Sequence, residues 1–444
     1  MNRREFLKWT ALAAAAAARL GLLFGKDEAV KPNFIIILAD DLGYGDVGCY
    51  GNKTILTPHL DRMAGRGMKF TDFHSNGAVC SPTRAALLTG RYQQRCGIEG
   101  VITAAGHRDK GMPLDEVTFA EVLKAAGYRT AIFGKWHLGY DAKFNPTRQG
   151  FDEFRGFVAG NVDYHSHVDQ AGHEDWWSGG ALGKEEGYTT DLITDHAVRF
   201  IRENKDTPFC LYLPHAAPHY PYQGPKDKAD RSVSKPQPIG GSRKDKAAAY
   251  KEMIEAMDDS VAQVLKTVEE LGLEERTLVF FFSDNGPGTI GSAGALRGHK
   301  GNLYEGGHRV PAIAYWAGRI TPGSVSDAPA MGADLLPTMA ALAGAPLPRG
   351  RTIDGVDISP VLLECKPLPQ RAMFWRFGPQ KCVREGPWKL YVTKDGAELY
   401  NLADDLGEKN DLAAAHPQRV SQLGKLLSAW EKEVEQSAAP SPNE

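Results

Sequence analysis

The sequence predicts an α/β protein with a large, mostly parallel central sheet sandwiched by helices, followed by a small C-terminal subdomain. Two continuous apolar runs, Asn33 to Ala39 and Thr277 to Phe282, predict strands that are buried on both faces. Residues 247 to 271 carry apolar side chains at three- and four-residue spacing, and the pattern stops at Gly272. This pattern predicts an amphipathic helix that leads into the second strand, and such crossovers build parallel sheets.

The composition is that of an ordinary globular protein. The chain has 444 residues, of which 42% are hydrophobic and 24% are charged, so it can bury a large core and we expect two domains. The net charge of −3 argues against a nucleic acid partner, because binding to nucleic acid needs a surplus of basic residues. The six cysteines have no CxxC spacing and therefore indicate neither a zinc site nor a disulfide framework.

Residues 1 to 25 have the pattern of a targeting segment. Arg3 and Arg4 precede an alanine-rich apolar stretch that continues to about Phe24, which is typical of a twin-arginine signal. The apolar run is short and is interrupted by Arg19, so it does not predict a permanent membrane span. We therefore expect the twin-arginine export machinery as a partner and a periplasmic or extracellular location. An amphipathic N-terminal helix is the alternative interpretation.

Acidic residues follow both predicted strands. Asp40 and Asp41 come directly after the first strand, and Asp284 and Asn285 come after the second. In open α/β sheets ligands bind beyond the carboxyl ends of the strands, so these side chains are expected to converge on one cation. Three carboxylates and an amide oxygen are hard ligands that suit calcium or magnesium. Taken alone, the first acidic pair would equally indicate a turn or a helix cap.

The segment from Cys80 to Gly90 has the features of an anion site. Pro82 lacks an amide hydrogen and has a φ angle suited to a first helical turn, and good helix formers follow it. Cys80 is therefore expected just before a helix N-terminus, where unpaired amides and the positive end of the helix dipole face it. Arg84, one turn into the helix, adds a planar cation suited to tetrahedral oxyanions. A buried structural cysteine is the alternative interpretation.

The run CSPTRAALLTG, residues 80 to 90, resembles the signature of the sulfatase family. In that family the cysteine is oxidised to formylglycine by a maturation enzyme, and the hydrated aldehyde is the nucleophile that attacks the sulfate ester. The resemblance implies an alkaline phosphatase-like fold, conversion of Cys80 to formylglycine, and one bound calcium ion. The implied ligands of this ion are Asp40, Asp41, the converted Cys80, Asp284 and Asn285.

Two further segments resemble sulfatase motifs and contribute cations. Residues 127 to 139 resemble the second family signature, and if the strand predicted there continues, Lys135 and His137 lie on one face of it. Residues 296 to 301 resemble the glycine-rich loop that carries another active-site lysine, which here is Lys300. The resemblance implies that the two lysines neutralise ester oxygens.

The histidine that protonates the leaving group has two candidates, His215 and His219. The family histidine opens a stretch similar to residues 219 to 225, so the resemblance implies His219, and His215 is expected to be structural. In the implied mechanism one hydroxyl of the hydrated aldehyde attacks sulfur in line while His219 protonates the alcohol. His137 then deprotonates the other hydroxyl, so that sulfate leaves. The residues that spread the developing charge are Arg84, Lys135 and Lys300.

The composition changes after about residue 345. Short strand patterns with a hairpin turn at Asp395-Gly396 precede a helix from about Pro417 to Val434. This order resembles the small C-terminal subdomain of sulfatases, which is an antiparallel sheet with a helix. The predicted strands are Ala372 to Phe377, Lys381 to Arg384, Trp388 to Thr393 and Glu398 to Leu402. The expected units are a signal segment (1–25), a catalytic domain (31–345), a C-terminal subdomain (346–436) and a polar tail (437–444).

The sequence does not identify the sulfated substrate. An exported enzyme of this kind suggests sulfated carbohydrates, and specificity is expected in the loops 93–112 and 155–187. Two alternatives stay open at this point. A phosphodiesterase or phosphonate monoester hydrolase of the same superfamily would share the fold, and a glycan-binding pseudoenzyme with an unconverted Cys80 would share the pocket.

Overall fold

The computed structural model describes residues 31–235 and 239–437. The predicted signal segment, residues 1–25, lies outside the described residues, as does the predicted polar tail from residue 438 onward. Within the described ranges, no helix is both long enough and apolar enough to cross a membrane. The strands are β1 (Asn33–Ala39), β2 (Met68–Phe70), β3 (Phe73–His74), β4 (Arg129–Lys135), β5 (Glu153–Phe157), β6 (Trp177–Ser178), β7 (Ala181–Leu182), β8 (Phe209–Pro214), β9 (Thr277–Ser283), β10 (Ala312–Tyr315), β11 (Ser324–Ser326), β12 (Ala330–Met331), β13 (Ala372–Phe377), β14 (Gln380–Glu385), β15 (Trp388–Thr393) and β16 (Gly396–Asn401). The α-helices are α1 (Pro58–Arg66), α2 (Cys80–Thr89), α3 (Phe119–Ala125), α4 (Thr189–Glu203), α5 (Lys246–Glu270), α6 (Glu305–His308), α7 (Leu335–Ala343), α8 (Ser359–Glu364) and α9 (Pro417–Gln436).

One large mixed sheet has the strand order β11-β2-β10-β9-β1-β8-β4-β5-β6-β7. Its centre is parallel, because β1 pairs in parallel with β8 and β9, and β4 pairs in parallel with β5 and β8. Strand β10 runs antiparallel to both of its neighbours. Every residue of β1 and β9 is buried, as their continuous apolar runs predict. The predicted α/β class with a large, mostly parallel sheet is therefore confirmed.

Helices pack in two groups around this sheet. Helices α1 and α4 both pack on α5, whereas α2, α3 and α7 pack on one another. The predicted amphipathic helix is α5, and Met253, Met257 and Val261 of its apolar stripe are fully buried. The helix ends six residues before β9 begins, so the chain enters the sheet where the sequence pattern predicts.

The C-terminal region forms a separate antiparallel sheet of the four strands β13, β14, β15 and β16, and α9 packs on its first three strands. This confirms the predicted small antiparallel sheet with a helix. The predicted turn at Asp395-Gly396 is wrong by one position. Thr393 pairs with Gly396, so Lys394 and Asp395 form the turn and Gly396 begins the last strand.

Buried ion pairs join the small sheet to the segments around the large one. Lys389 Nζ, on β15, lies 2.9 Å from carboxylate oxygens of both Glu305 and Glu408, and all three side chains are fully buried. Arg384, on β14, contacts both carboxylate oxygens of Asp72 at 2.6 Å. Because a buried charge is stable only with a partner, these contacts tie the two sheets together.

Candidate active site

The carboxyl ends of β1 and β9 bring the two acidic pairs together. The strands pair in parallel with Ala39 opposite Ser283, so the residues that follow them leave the sheet side by side. One carboxylate oxygen from each of Asp40, Asp41 and Asp284 lies within 4.8 Å of the other two. All three side chains are buried. The structure thus brings together the acidic residues that follow the two predicted strands.

The backbone around Asp41 fixes this acidic cluster. Asp41 has a φ of +66°, a left-handed conformation that aspartate adopts more readily than most residues. Its amide donates a hydrogen bond to Asp284 Oδ1 at 3.2 Å, and Asn285 Nδ2 donates to Asp41 Oδ1 at 2.7 Å. The amide group of Asn285 is therefore oriented, and its Oδ1 has no hydrogen-bond partner among the described residues.

Helix α2 carries Cys80 to the same point. Val79 is the extended residue before the helix, and Cys80 is the first helical residue, one position further in than the sequence predicts. Ligand-type atoms of Cys80, Asp40 and His219 lie within 4.8 Å of one another. Burial raises the pKa of the Cys80 thiol. An unmodified Cys80 is therefore protonated at neutral pH, and a thiol is a poor nucleophile.

Each carboxylate of the acidic cluster has one buried or mostly buried cationic partner. Three carboxylates and three cations sum to a formal charge of zero, so a divalent cation among them would leave the site positive and favour an anionic ester. The pairs are Lys135 Nζ to Asp40 Oδ2 at 2.5 Å, Lys300 Nζ to Asp41 Oδ1 at 2.6 Å and Arg84 Nη2 to Asp284 Oδ2 at 2.8 Å.

Arg84 is held from two directions. Its Nη1 donates to the Lys135 carbonyl oxygen at 2.9 Å, while Nε and Nη2 both donate to Asp284 Oδ2. Although burial disfavours the charge, Asp284 together with other acidic groups nearby, among them Asp40, raises the pKa of Arg84 above its ordinary value. The guanidinium is therefore a fixed positive charge one helical turn from Cys80.

His137 enters the site by a sharp change of backbone direction. Strand β4 ends at Lys135, and His137 has a φ of +59°, so the prediction that a continued strand places both side chains on one face is wrong. His137 Nε2 lies 2.9 Å from the Ile102 carbonyl oxygen and donates to it. Burial and then the charge of Lys135 lower the pKa of His137 well below its ordinary value. Its Nδ1 is buried and has no partner in the described part of the chain.

His219, and not His215, reaches the acidic cluster. His219 Nδ1 lies 2.7 Å from the Tyr220 carbonyl oxygen, and Nε2 lies 3.7 Å from Asp41 Oδ2. Burial and then the charge of Lys300 lower the pKa of His219 well below its ordinary value. His215 instead contacts Ser260 Oγ on α5 through Nε2 at 3.3 Å. The expectation that one of the two histidines is structural agrees with this separation.

Comparison with known proteins identifies the family. The sulfatase family model matches residues 32–345 of the chain. Human arylsulfatase A is 35% identical over 94% of this chain and 90% of its own length. The chain belongs to the sulfatase family. A rat N-acetylgalactosamine-6-sulfatase is 36% identical to this sulfatase over 81% of the chain and 71% of its own length.

Solved sulfatase structures share the fold. A crystal structure of Ps i-CgsB in complex with k-i-k-neocarrahexaose superposes with a TM-score of 0.82 at 29% identity, covering 93% of this chain and 94% of its own. The PsFucS1 sulfatase from Pseudoalteromonas sp. gives a TM-score of 0.75 at 26% identity, covering 97% of this chain and 95% of its own. The likeness therefore extends through both sheets.

The acidic cluster of this sulfatase fits a calcium ion. Asp40 Oδ1 and Asn285 Oδ1 are both buried without a hydrogen-bond partner among residues 31–235 and 239–437. Burial, and next the negative charge of Asp284, raise the pKa of Asp40 to about 8. An added cation would stabilise such a carboxylate in its ionised form. Three carboxylates and one free amide oxygen also match the all-oxygen ligand sets that calcium takes.

Two cavities open at the site. The first has a volume of about 510 Å³, contains Cys80, and takes its walls from the two loops in which we expect specificity, 93–112 and 155–187. The second has a volume of about 550 Å³ and contains Asp41. The residues that line both cavities are Tyr220 and Lys300.

The sequence places specificity in the loops 93–112 and 155–187 but does not single out individual wall residues. Wall residues that it leaves unassigned include Tyr140, Asn161 and Gln170 in the first cavity and Tyr222 and Thr289 in the second. Loop residues of these types have no spacing that distinguishes a wall residue from an ordinary surface residue. Tyr220 and Tyr222, which closely follow His219, are a sequence signal of a wall beside the site.

Proposed function

We propose that this sulfatase hydrolyses sulfate esters of carbohydrates, with Cys80 converted to formylglycine and one calcium ion bound beside it. The observation that carries the proposal is the convergence of ligand-type atoms from Cys80, Asp40 and His219 within 4.8 Å of one another. The acidic cluster at the same strand ends supports the ion. Its proposed ligands are Asp40, Asp41, the converted Cys80, Asp284 and Asn285.

The converted Cys80 supplies a nucleophilic hydroxyl, and the bound ion supplies positive charge that polarises the ester. Three side chains of the protein hold the sulfate oxygens and stabilise the charge that develops on them. The three are Arg84, Lys135 and Lys300. Because hydrogen bonds to carboxylates already fix these side chains, they need little rearrangement when the reaction occurs.

His219 is the proposed acid. Its Nδ1–H faces the Tyr220 carbonyl oxygen, so the second proton of the imidazolium is on Nε2, the atom nearest Asp41. The lowered pKa of His219 leaves its ring neutral before the ester binds, and the negative charge of a bound sulfate ester favours the protonated form. In that protonated form His219 gives its Nε2 proton to the departing alcohol.

His137 is the proposed base. It donates Nε2–H to the Ile102 carbonyl oxygen, which leaves the lone pair on Nδ1 available. The lowered pKa of His137 keeps the ring neutral before the reaction, so that it can take up a proton. It deprotonates the second hydroxyl at position 80, the C–O bond to the sulfate breaks, and the aldehyde is restored as sulfate leaves.

The carbohydrate substrate is supported by the relatives and by the walls of the site. The Ps i-CgsB structure contains a neocarrahexaose, and the rat relative is named N-acetylgalactosamine-6-sulfatase. The first cavity offers the amide groups of Asn161 and Gln170 beside the ring of Tyr140. Hydrogen-bonding groups next to an aromatic face suit the hydroxyls and the apolar faces of a sugar.

Maturation and export complete the proposal. Cys80 is only 2% exposed in the folded protein, so a formylglycine-generating enzyme must reach it before the chain folds. Residues 1–25 have the pattern of a twin-arginine signal, and that machinery exports folded proteins. We therefore propose conversion in the cytoplasm, followed by export of the folded enzyme to the periplasm or the exterior.

The test begins with protein produced together with a formylglycine-generating enzyme. We expect peptide mass spectrometry to find a loss of about 18 Da at Cys80, as thiol-to-aldehyde conversion requires, and we expect calcium-dependent hydrolysis of 4-nitrophenyl sulfate. We expect Cys80→Ala to abolish turnover. We expect Cys80→Ser to bind the substrate but to hydrolyse it very slowly. Cys365→Ser is the matched control because Cys365 is an exposed free thiol.

Three outcomes contradict the proposal. Full turnover by Cys80→Ala excludes the assigned nucleophile. An unconverted Cys80 without any turnover indicates a glycan-binding pseudoenzyme. Faster hydrolysis of an aryl phosphate diester than of the aryl sulfate indicates a phosphodiesterase of the same superfamily.

A further inference from the structure

We infer that this sulfatase acts on internal sulfated residues of a carbohydrate chain, with sugar units bound on both sides of the reaction centre. The inference rests on the proposed function and adds how the substrate lies across the site. It follows from the arrangement of the two cavities, which meet at the reacting groups.

The reaction centre lies at the junction of the cavities and not at the end of one pocket. Cys80, His137 and His219 line the first cavity, and Asp41 lines the second. Asp40 links the residues of the two cavities. Its carboxylate is within 4.8 Å of ligand-type atoms of Cys80 and His219 on the first side and of Asp41 on the second. A sulfate held at this junction therefore has open space on two sides.

A shared ridge separates the cavities. Tyr220 and Lys300 line both of them. Lys300 Nζ is bound to Asp41, and the ring of Tyr220 packs on His219 with centroids 4.2 Å apart. The half-buried aromatic ring beside the proposed acid offers a flat surface to the sugar that carries the ester.

Both cavities are large enough to hold parts of a ligand. Their volumes, about 510 Å³ and about 550 Å³, each lie within the range of about 300–1,000 Å³ that is usual for small-molecule sites. The first has polar walls from Asn161 and Gln170, and the second is lined by Tyr222 and Thr289. Neither cavity is a narrow space that only a sulfate group could enter.

The second cavity stays open because glycine lies beside the acidic cluster. A Cβ at Gly288 would be 3.2 Å from Asp41 Oδ2 and 3.8 Å from the Tyr222 hydroxyl. The glycine leaves this space free, and the exposed Thr289 follows at the rim. A site that accepts only chain ends would need this side closed, and here it is open.

A matched pair of variants tests the inference. Ala105 lines the first cavity and Thr289 lines the second, both are exposed, and neither has a proposed catalytic role. Ala105→Trp and Thr289→Trp fill one cavity each. We expect both to hydrolyse 4-nitrophenyl sulfate within about twofold of the parent enzyme, because a small ester needs only the junction. We expect each to release sulfate from a polysaccharide at least about tenfold more slowly.

The substrates are polymeric carrageenan, chondroitin sulfate, heparan sulfate and fucoidan, each compared with its own oligosaccharides, with released sulfate measured by ion chromatography. We expect at least one polymer to lose many sulfates per chain. Release that stops near one sulfate per chain, or a defect in only one of the two variants, overturns the inference. Activity on the aryl sulfate without activity on any polymer also overturns the inference about internal residues. That result would still agree with the proposed sulfatase activity. Failure on the aryl sulfate as well refutes the proposed function.

Discussion

Lys300 Nζ lies 2.6 Å from Asp41 Oδ1, although 259 positions separate the two residues in the chain. The carboxylate holds the lysine in place. Burial disfavours the ammonium charge, but Asp41 and the other acidic groups around it together raise the pKa of Lys300 well above its ordinary value. Lys300 is therefore a permanent cation at the ridge between the two cavities.

Replacing Lys300 tests this cation. Lys300→Met keeps the length of the side chain and removes its charge, and we expect kcat for 4-nitrophenyl sulfate to fall by about 10²–10³-fold, as when one preorganised stabilising group is lost. The neighbouring His299→Ala is the control, because the exposed side chain of His299 is hydrogen-bonded to the Lys300 carbonyl oxygen and has no proposed catalytic role. Equal effects of the two substitutions would contradict the assigned role.

Calcium is expected to stabilise the folded enzyme. Calcium at about 100 times its Kd adds about 2.7 kcal/mol to the free energy of unfolding, which a thermal melt detects as a higher Tm. Asp40→Asn removes a proposed ligand and should abolish this calcium-dependent shift, whatever it does to the Tm without calcium. Asp141→Asn changes an exposed carboxylate and should keep the shift. A full shift in Asp40→Asn would exclude the proposed ion site.

His215 is expected to affect stability and not activity. Burial lowers the pKa of His215 from 6.5 to about 4, so between these values the unfolded chain binds a proton that the folded protein does not. The free energy of unfolding therefore decreases as the pH falls, by about 2 kcal/mol from this group between pH 7.5 and pH 5. His215→Gln retains a hydrogen-bonding group for Ser260 and removes the pH-dependent contribution of His215 to the free energy of unfolding.

Urea unfolding of the parent and His215→Gln at the two pH values measures the difference. Activity separates the two histidines, because His215→Gln should keep its turnover at pH 7.5 while His219→Gln loses most of it. An inactive His215→Gln of normal stability would reverse the assignment of the acid.

Lys389 is expected to contribute strongly to stability. It is fully buried between Glu305 and Glu408, and Lys389→Met would remove the cation that the two carboxylates share, leaving Arg309 beside Glu305. We expect the free energy of unfolding to fall by about 3–5 kcal/mol. Lys381→Met removes a half-exposed lysine that pairs with Glu431 and should cost less than about 1 kcal/mol. Similar losses of unfolding free energy in both variants would show that the buried ion pairs of Lys389 contribute no more than the half-exposed pair of Lys381.

The sequence predicts the framework of the site well, for a physical reason. Continuous apolar runs mark the buried strands β1 and β9, and residues at the carboxyl ends of such strands form the ligand-binding edge of the sheet, so the local pattern predicts where Asp41 and Asp284 lie. Their direct meeting follows from the parallel pairing of the two strands, which the structure shows. The same holds for Cys80, because a proline near a helix start fixes its position within one residue.

Other features depend on contacts that no local pattern encodes. The end of β4 at Lys135 and the left-handed turn at His137 reflect packing against the Ile102 loop, so a continued strand is the wrong prediction. The cavity walls at Asn161 and Thr289 come from loops whose shape is set by tertiary structure. The choice between His215 and His219 likewise needs the position of Ser260 on α5.

Glu305 and Asp72 lie in the region that the family model covers, and each takes one of its counterions from the last hundred residues of the chain. A shortened chain that stops at residue 345 would retain both carboxylates in its interior and lack Lys389 and Arg384. In such a fragment the guanidinium of Arg309, 3.1 Å from Glu305 and 3.4 Å from Asp72, would have to compensate both charges. The four-stranded sheet is therefore an integral part of the fold, and we expect both sheets to melt in a single transition.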